Sequence, residues 1–362
     1  MTMRNVVLKI AGELLSLPTA PFREHRVREY IKAFCGARDI AVREDDMGNV
    51  IAVYRAKSRG PLLAFGAHMD HPGFIIEKNS RRGRTTALFY GGVEKEYFRG
   101  APVRVFTRDR EVRGRVTRVQ FFPRKHIKRV SVTLDGEVRR GDVAMWDLPP
   151  FRVRGDRLAA RACDDVVGCA SVLALFDVLT RRRVPARVLG IFTVAEEGGC
   201  HGAKHLALTR RVPKAAHVVA IEASRELPTA PIGGGVVIRV GDRESIFSPA
   251  LTRFMMDVAA RLPRPGFRFQ RKLMDGGTCE ASVYQAFGYS CGAACVPLGN
   301  YHNRDFRRKR IAAEYVSVLD LVSMVRLFVA MVQRSTDLPR FLHRRPPKYA
   351  EERRRLGERL FF

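Results

Sequence analysis

The 362-residue sequence predicts an α/β protein, a mostly parallel mixed sheet with helices on both faces, interrupted by a small β-rich insertion. Three observations predict it. Apolar runs of strand length alternate with stretches of helical period, the pattern of a parallel sheet covered on both sides. Between His71 and about Leu158 the texture changes to short segments such as APVRVFT, VRGRVTRVQFF and RVSVTLD, separated by Arg, Gly and Asp turns, which is all-β punctuation. Helical periodicity then returns over 166–179 and leads into a buried-strand run at 188–194. The expected organisation is one α/β domain built from 1–70 and 159–338, an inserted unit over 71–158, and a basic tail over 339–362. Two units suit the length, because a single core stops growing beyond about 250–300 residues.

In chain order, Val6, Ile10 and Leu14 share one face of an amino-terminal helix that ends before Pro18. No small-residue cleavage site follows an uninterrupted apolar core, so this segment reads as a helix and not as a signal peptide. Val27, Ile31 and Phe34 mark a second helix, and 48–54 and 62–67 read as strands. After the insertion, strands are expected over 217–221 and 236–240 and a helix over 249–261. Tyr315, Val318, Leu319, Val322, Val325 and Val329 then repeat at helical spacing in a closing amphipathic helix. The tail reads as loosely ordered.

Composition narrows the function classes. Hydrophobic residues make up 46%, enough for a sizeable core, and the longest apolar candidate for a membrane span, 315–332, carries Asp320 and Arg326. No membrane role is expected. Seven cysteines with no CxxC pair suit reduced thiols in a cytoplasm. Cys163, Cys169, Cys200 and Cys279 lie near acidic patches, but their irregular spacing reads as packing and not as thiolate ligation. The net charge of +28 includes the runs 181–183 and 353–355, yet arginine is spread over almost every segment and no aromatic-interleaved RNA signature occurs. Nucleic acid is therefore not expected as a partner, whereas a basic surface would steer acidic substrates.

Five patches carry the chemistry: His68-Met69-Asp70, Asp164-Asp165, Glu196-Glu197, Glu222 and Tyr301-His302. Each is expected to end a strand, and ligands of open α/β sheets bind at the carboxyl edge of the strands. His68 and Asp70, one residue apart, emerge on one face, which suits Asp70 to steady the His68 ring. Asp164 and Asp165 precede a helix, where one is expected to complete the cap. Of the Glu196-Glu197 pair, one can bind a metal while the other shuttles a proton from the attacking water. Alone, each patch has an ordinary structural explanation, but gathered they would crowd like charges that only cations neutralise. Asp164, Glu197 and Glu222 with neutral His68 and His302 balance two divalent ions and a shared hydroxide, whereas one ion leaves the centre anionic. Zinc, cobalt and manganese all suit mixed His and carboxylate donors.

The ordered motifs GAHMDHPGF, ARACDDVVG, FTVAEEGGCHGAKHL, VVAIEAS, PIGGGVVIRVGD, DGGTCEA and PLGNYHN resemble those of the tetrahedral aminopeptidases, also called glutamyl or deblocking aminopeptidases, among the dinuclear zinc exopeptidases. The resemblance spans about residues 5–335. It implies two zinc ions, one held by His68, Asp164 and Glu222 and the other by Asp164, Glu197 and His302, with Glu196 as general base and Asp70 behind His68. It implies removal of amino-terminal residues from short peptides by a water shared between the ions. It also implies that the insertion is a small β-barrel or PDZ-like element that builds homo-oligomers, from dimers up to dodecamers. This chain departs from the family in carrying His71, Val166, Cys279 and Asn300 where Glu, Arg, Asp and Arg are common. A metal-dependent deacylase or carboxypeptidase is the alternative enzyme, and a basic scaffold without metals the non-enzymatic one.

Overall fold

The computed structural model describes residues 1–81, 83–122, 127–342 and 349–360; expectations that fall on 82, 123–126, 343–348 and 361–362 lie outside the described residues. The chain opens with α1 (Met3–Leu15), capped by the Thr2 side chain accepting from the Asn5 N–H, and α2 (His25–Gly36). Strands β1 (Ala41–Glu44), β2 (Val50–Arg55) and β3 (Leu63–His68) follow. Next come the insertion strands β4 (Gly73–Ile76), β5 (Gly83–Tyr90), β6 (Pro102–Phe106), β7 (Glu111–Phe121), β8 (Ile127–Leu134) and β9 (Val143–Trp146). After β10 (Arg152–Arg154) and β11 (Arg157–Ala160), the chain returns through α3 (Cys163–Arg182), β12 (Arg187–Thr193), α4 (His201–Leu208), β13 (His217–Arg225) and β14 (Val236–Gly241). The remainder is α5 (Pro249–Ala260), β15 (Phe269–Leu273), α6 (Glu280–Ala286), β16 (Ser290–Leu298), the short pair β17 (Arg304–Asp305) and β18 (Arg310–Ile311), β19 (Glu314–Ser317), α7 (Val318–Gln333), α8 (Pro339–Leu342) and α9 (Tyr349–Leu360).

Eight strands form one mixed sheet in the order β1-β2-β12-β3-β13-β16-β14-β15, whose centre, β12-β3-β13-β16, is parallel. Both faces are covered, as the near-continuous apolar runs predict. Alternation divides the strand residues between two cores: Phe65 and Ala67 pack with α1, α3, α5 and α7, while Ala64, Val218 and Ala220 pack with α4 and α6. The Phe65 and Phe328 rings meet at 4.8 Å. Gly190 in β12 admits Phe176 of α3, since a Cβ there would stand 2.7 Å from the ring. Truncating a buried aromatic such as Phe176 to Ala would cost about 3–5 kcal/mol.

The insertion closes into a six-stranded barrel, β4-β5-β8-β7-β6-β9, a closure that leaves no free sheet edge. Its interior is aromatic, with Phe74 set edge-on against Trp146 at 4.7 Å and 88°. Among the described residues no helix is long and apolar enough to cross a membrane. The closing helix starts later than its periodicity suggests. Tyr315 belongs to β19, which pairs with β11, and the Ser317 hydroxyl, by accepting from the Asp320 N–H, sets the first turn at Val318. The tail, expected to be loose, is helical over α8 and α9.

Candidate metal centre

The sheet register draws the acidic patches together. Thr193 of β12 pairs with His68 of β3, and the β13–β3 ladder runs from His217↔Leu63 to Ala220↔Gly66, so continued by two residues it sets Glu222 beside His68. Glu222 therefore lies inside β13, just past the end of its pairing with β3 while still paired with Cys295 of β16. Glu196 and Glu197 leave the end of β12, and His302 sits in a turn after β16. Asp164 comes from the first turn of α3 and not from a strand end.

Two sets of donors result. The donor atoms of His68, Asp164 and Glu222 lie within 4.8 Å of one another, as do those of Asp164, Glu197 and His302, and Asp164 belongs to both. His68 Nε2 is 3.6 Å from Asp164 Oδ1 and 3.9 Å from Glu196 Oε2. His302 Nε2 is 3.0 Å from Glu197 Oε1 and 3.6 Å from Asp164 Oδ2. Asp164 Oδ1 and Glu222 Oε1 are buried and lack hydrogen-bond partners among the described residues. Orphaned carboxylate oxygens facing imidazole nitrogens at these separations are the donor set a divalent cation takes, so the residues fit the expected ions.

The electrostatics agree with that fit. Burial pulls the His68 ring down, yet Asp164 and Asp70 outweigh it and hold the ring well above the ordinary histidine value. His302 is likewise lowered by burial and raised more strongly by Glu197 and Asp164. Burial raises Asp164, but the two histidines drag its carboxyl well below the usual range. Burial pushes Glu222 up to about 8, with Asp164 adding to the rise. Burial likewise raises Glu196, against the opposing pull of His68.

Two expectations change in detail, and His71 finds its place. The Asp70 carboxylate accepts the N–H groups of Glu196 and Glu197, each at 3.0 Å, while its Oδ1 is 3.5 Å from His68 Nδ1 and its carbonyl oxygen 3.1 Å. It thus orients the glutamate pair at least as much as the ring. Asp165 does not cap α3: its carboxylate is fully buried and neither oxygen has a hydrogen-bond partner among the described residues. His71 faces neither solvent nor the cavity. It is fully buried against the Asp164 carbonyl and Asn303.

Glu280 and Arg239 were not singled out from the sequence, and Cys200 was read there only as packing. Glu280 is buried beside the cluster, and burial pushes it up to about 7 despite the pull of His68. The Cys200 thiol donates to Glu196 Oε1 at 3.2 Å. A cavity of about 250 Å³ opens at Glu222 and is lined by Arg239, Thr278, Tyr301, Arg304 and Phe306. Arg239 is buried and its Nη1 donates to Ser224 Oγ at 3.3 Å, while among the described residues its Nε has no partner and no carboxylate ion-pairs with it. An arginine inside the apolar run GGGVVIRVGD was the signal available for it.

A two-lobed cluster of imidazoles and carboxylates at the carboxyl edge of a covered mixed sheet, beside a cavity the size of one side chain, defines a hydrolase-type site. The profile of the M42 glutamyl aminopeptidase family matches residues 48–133 and 133–307, and the chain belongs to that family. It is a peptide hydrolase, an aminopeptidase. A glutamyl aminopeptidase of Lactococcus lactis subsp. cremoris is 23% identical over 291 residues, 73% of this chain and 80% of the relative. An aminopeptidase from the archaeon Desulfurococcus kamchatkensis has the same fold, with a TM-score of 0.77 at 23% identity over 94% of this chain and 98% of the other. The TET1 peptidase of Pyrococcus horikoshii superposes with a TM-score of 0.74 at 23% identity, covering 90% and 99% of the two chains.

Proposed function

We propose that this aminopeptidase is dinuclear and that Glu196 is its general base. The observation that carries the reading is Asp164, whose two oxygens face His68 and His302 respectively and which is shared by both donor sets. His68, Asp164 and Glu222 would hold one divalent ion, and Asp164, Glu197 and His302 the other. Zinc fits these donors, as do cobalt and manganese. When bound, such a pair polarises the scissile carbonyl and lowers the pKa of water. Glu196, the member of its pair outside both donor sets, takes a proton from the attacking water and returns it to the leaving nitrogen. Asp70 keeps Glu196 and Glu197 in place through their N–H groups.

The cavity beside Glu222 takes the side chain of the first residue of the peptide. Arg239 is a buried guanidinium that makes no direct ion pair among the described residues, though Glu222 and Asp242 favour its charge at longer range, and a ligand carboxylate would give it a direct partner. An acidic first residue does so, in keeping with the name of the Lactococcus relative. The barrel is proposed as the assembly element of a homo-oligomer, as the Pyrococcus TET1 peptidase assembles into a tetrahedron or a large octahedral shell. Seven free, buried cysteines fit a reducing cytoplasm. Metal analysis combined with a peptide panel tests the reading: two ions per chain and cleavage from the amino end are expected, and a folded chain with no ion and no hydrolysis after metal addition refutes it.

A further inference from the structure

Asp164 and His302 are joined by more than their side chains. The Glu314 carboxylate accepts the Asp164 N–H at 3.1 Å through Oε2 and the His302 N–H at 2.8 Å through Oε1. His71 Nδ1 donates to the Asp164 carbonyl at 2.6 Å, so both backbone groups of Asp164 are held from outside the ligand set. His71 Nε2 stands 2.9 Å from Asn303 Oδ1, and the Asn303 amide is oriented by its Nδ2 donating to the Arg161 carbonyl at 3.0 Å. Both ring nitrogens thus face acceptors, and the Glu314 carboxylate lies 4.0 Å from Nδ1. All four side chains are buried, those of His71, Asn303 and Glu314 completely and that of Arg161 nearly so.

The bracing acts on a segment that needs it. Asn300, His302 and Asn303 all adopt left-handed backbone, with φ of 55°, 54° and 63°, a conformation uncommon outside glycine, most accessible to Asn and His, and rarely repeated so closely along a chain. The Glu314 contact falls on the His302 N–H, in the middle of that segment. It joins the His302 backbone to that of Asp164 through one carboxylate.

We infer that His71 and Glu314 are positioning residues that set the separation of Asp164 and His302, and so the affinity of the metal position those two share with Glu197. The inference rests on the dinuclear reading above. Outer contacts of this kind change metal affinity by about 10- to 100-fold when removed. His71, one of the four departures from the family pattern, therefore serves the ligands and not the substrate.

The test compares the full-length wild type with Glu314→Gln, His71→Leu and His71→Gln. Ions per chain are counted by mass spectrometry along a titration with a competing chelator, and the melting temperature of each metal-free protein is recorded. Glu314→Gln sets an amide against two N–H donors, and His71→Leu removes both ring contacts. In both, the second ion should leave at a chelator concentration at least about tenfold lower than in wild type. The first ion, which shares Asp164 but not His302, should be weakened less than the second, kcat should fall more than KM rises, and excess metal should restore part of kcat. His71→Gln, which keeps one donor, should lie between, and it carries the comparison if Glu314→Gln does not fold. Two ions held by every folded variant with the wild-type midpoint overturn the inference while leaving the dinuclear reading intact. A wild-type chain that never holds a second ion overturns both.

Discussion

The His302 ring reaches out of the sheet domain to the barrel, where its Nδ1–H donates to the carbonyl oxygen of Gly92 at 3.0 Å. That contact sets the tautomer the neutral ring would take and points Nε2 toward Asp164 and Glu197. The neighbouring carbonyl, of Gly91, accepts from Lys128 Nζ at 2.6 Å. The inserted barrel is thus part of the wall of the candidate metal centre.

Lys128 gives a pH-dependent signature. Burial lowers its ammonium to about 8, with Glu94 and Glu197 opposing, whereas the unfolded chain keeps that proton to about 10.5. Between these values the unfolded state binds more protons, so this group makes the fold more stable as pH rises. The buried cysteines, raised by burial, act in the opposite direction in the alkaline range. Comparison with Lys128→Met isolates the lysine. Wild type should gain on the variant between pH 7.5 and 9.5 by on the order of 1 kcal/mol after solvent screening, read from urea midpoints. A constant difference would argue against the shifted lysine.

Replacing Glu196 with Gln removes the proposed base while leaving both donor sets whole. Turnover should fall by about 10²- to 10⁴-fold with unchanged metal content. Steady-state kinetics and metal analysis on one preparation check this, and undiminished hydrolysis would remove Glu196 from the mechanism.

Arg239→Met should lower kcat/KM for peptides that begin with Glu or Asp by about 10- to 100-fold, the worth of a charge-assisted hydrogen bond, and leave peptides with a neutral first residue little changed. A matched peptide series reads the ratio. Equal losses on both series would mean that Arg239 supports Glu222 instead of the substrate.

Chelation should abolish hydrolysis, and added zinc, cobalt or manganese should restore it. Affinity for the ions should climb from pH 6 to 8, because Glu222 and both histidines hold protons in the metal-free protein that must leave before they coordinate. Chelator competition at three pH values measures the slope, and a flat profile would exclude these groups as ligands.

The clustering of His68, Asp164, Glu197, Glu222 and His302 was legible because each stands next to an apolar run or a helix start, and strand topology does the rest. The β-rich texture after His71 likewise became the barrel. What could not be read were roles set by contacts between distant segments. Asp165 looked like a cap because capping is local, whereas its burial arises from the packing of α3 under the sheet edge. Tyr315 fitted a helical period, but pairing with β11 placed it in a strand. Glu314 offered no signal at all, since its partners lie 150 and 12 residues away.

The spread of these groups along the chain also governs when the site can come into being. Ligands arrive from residue 68 through residue 302, with the Glu314 brace later still. A nascent polypeptide emerging from the ribosome therefore cannot assemble the full cluster until translation has passed residue 314, and fragments released earlier would carry isolated donors and no competent hydrolytic centre.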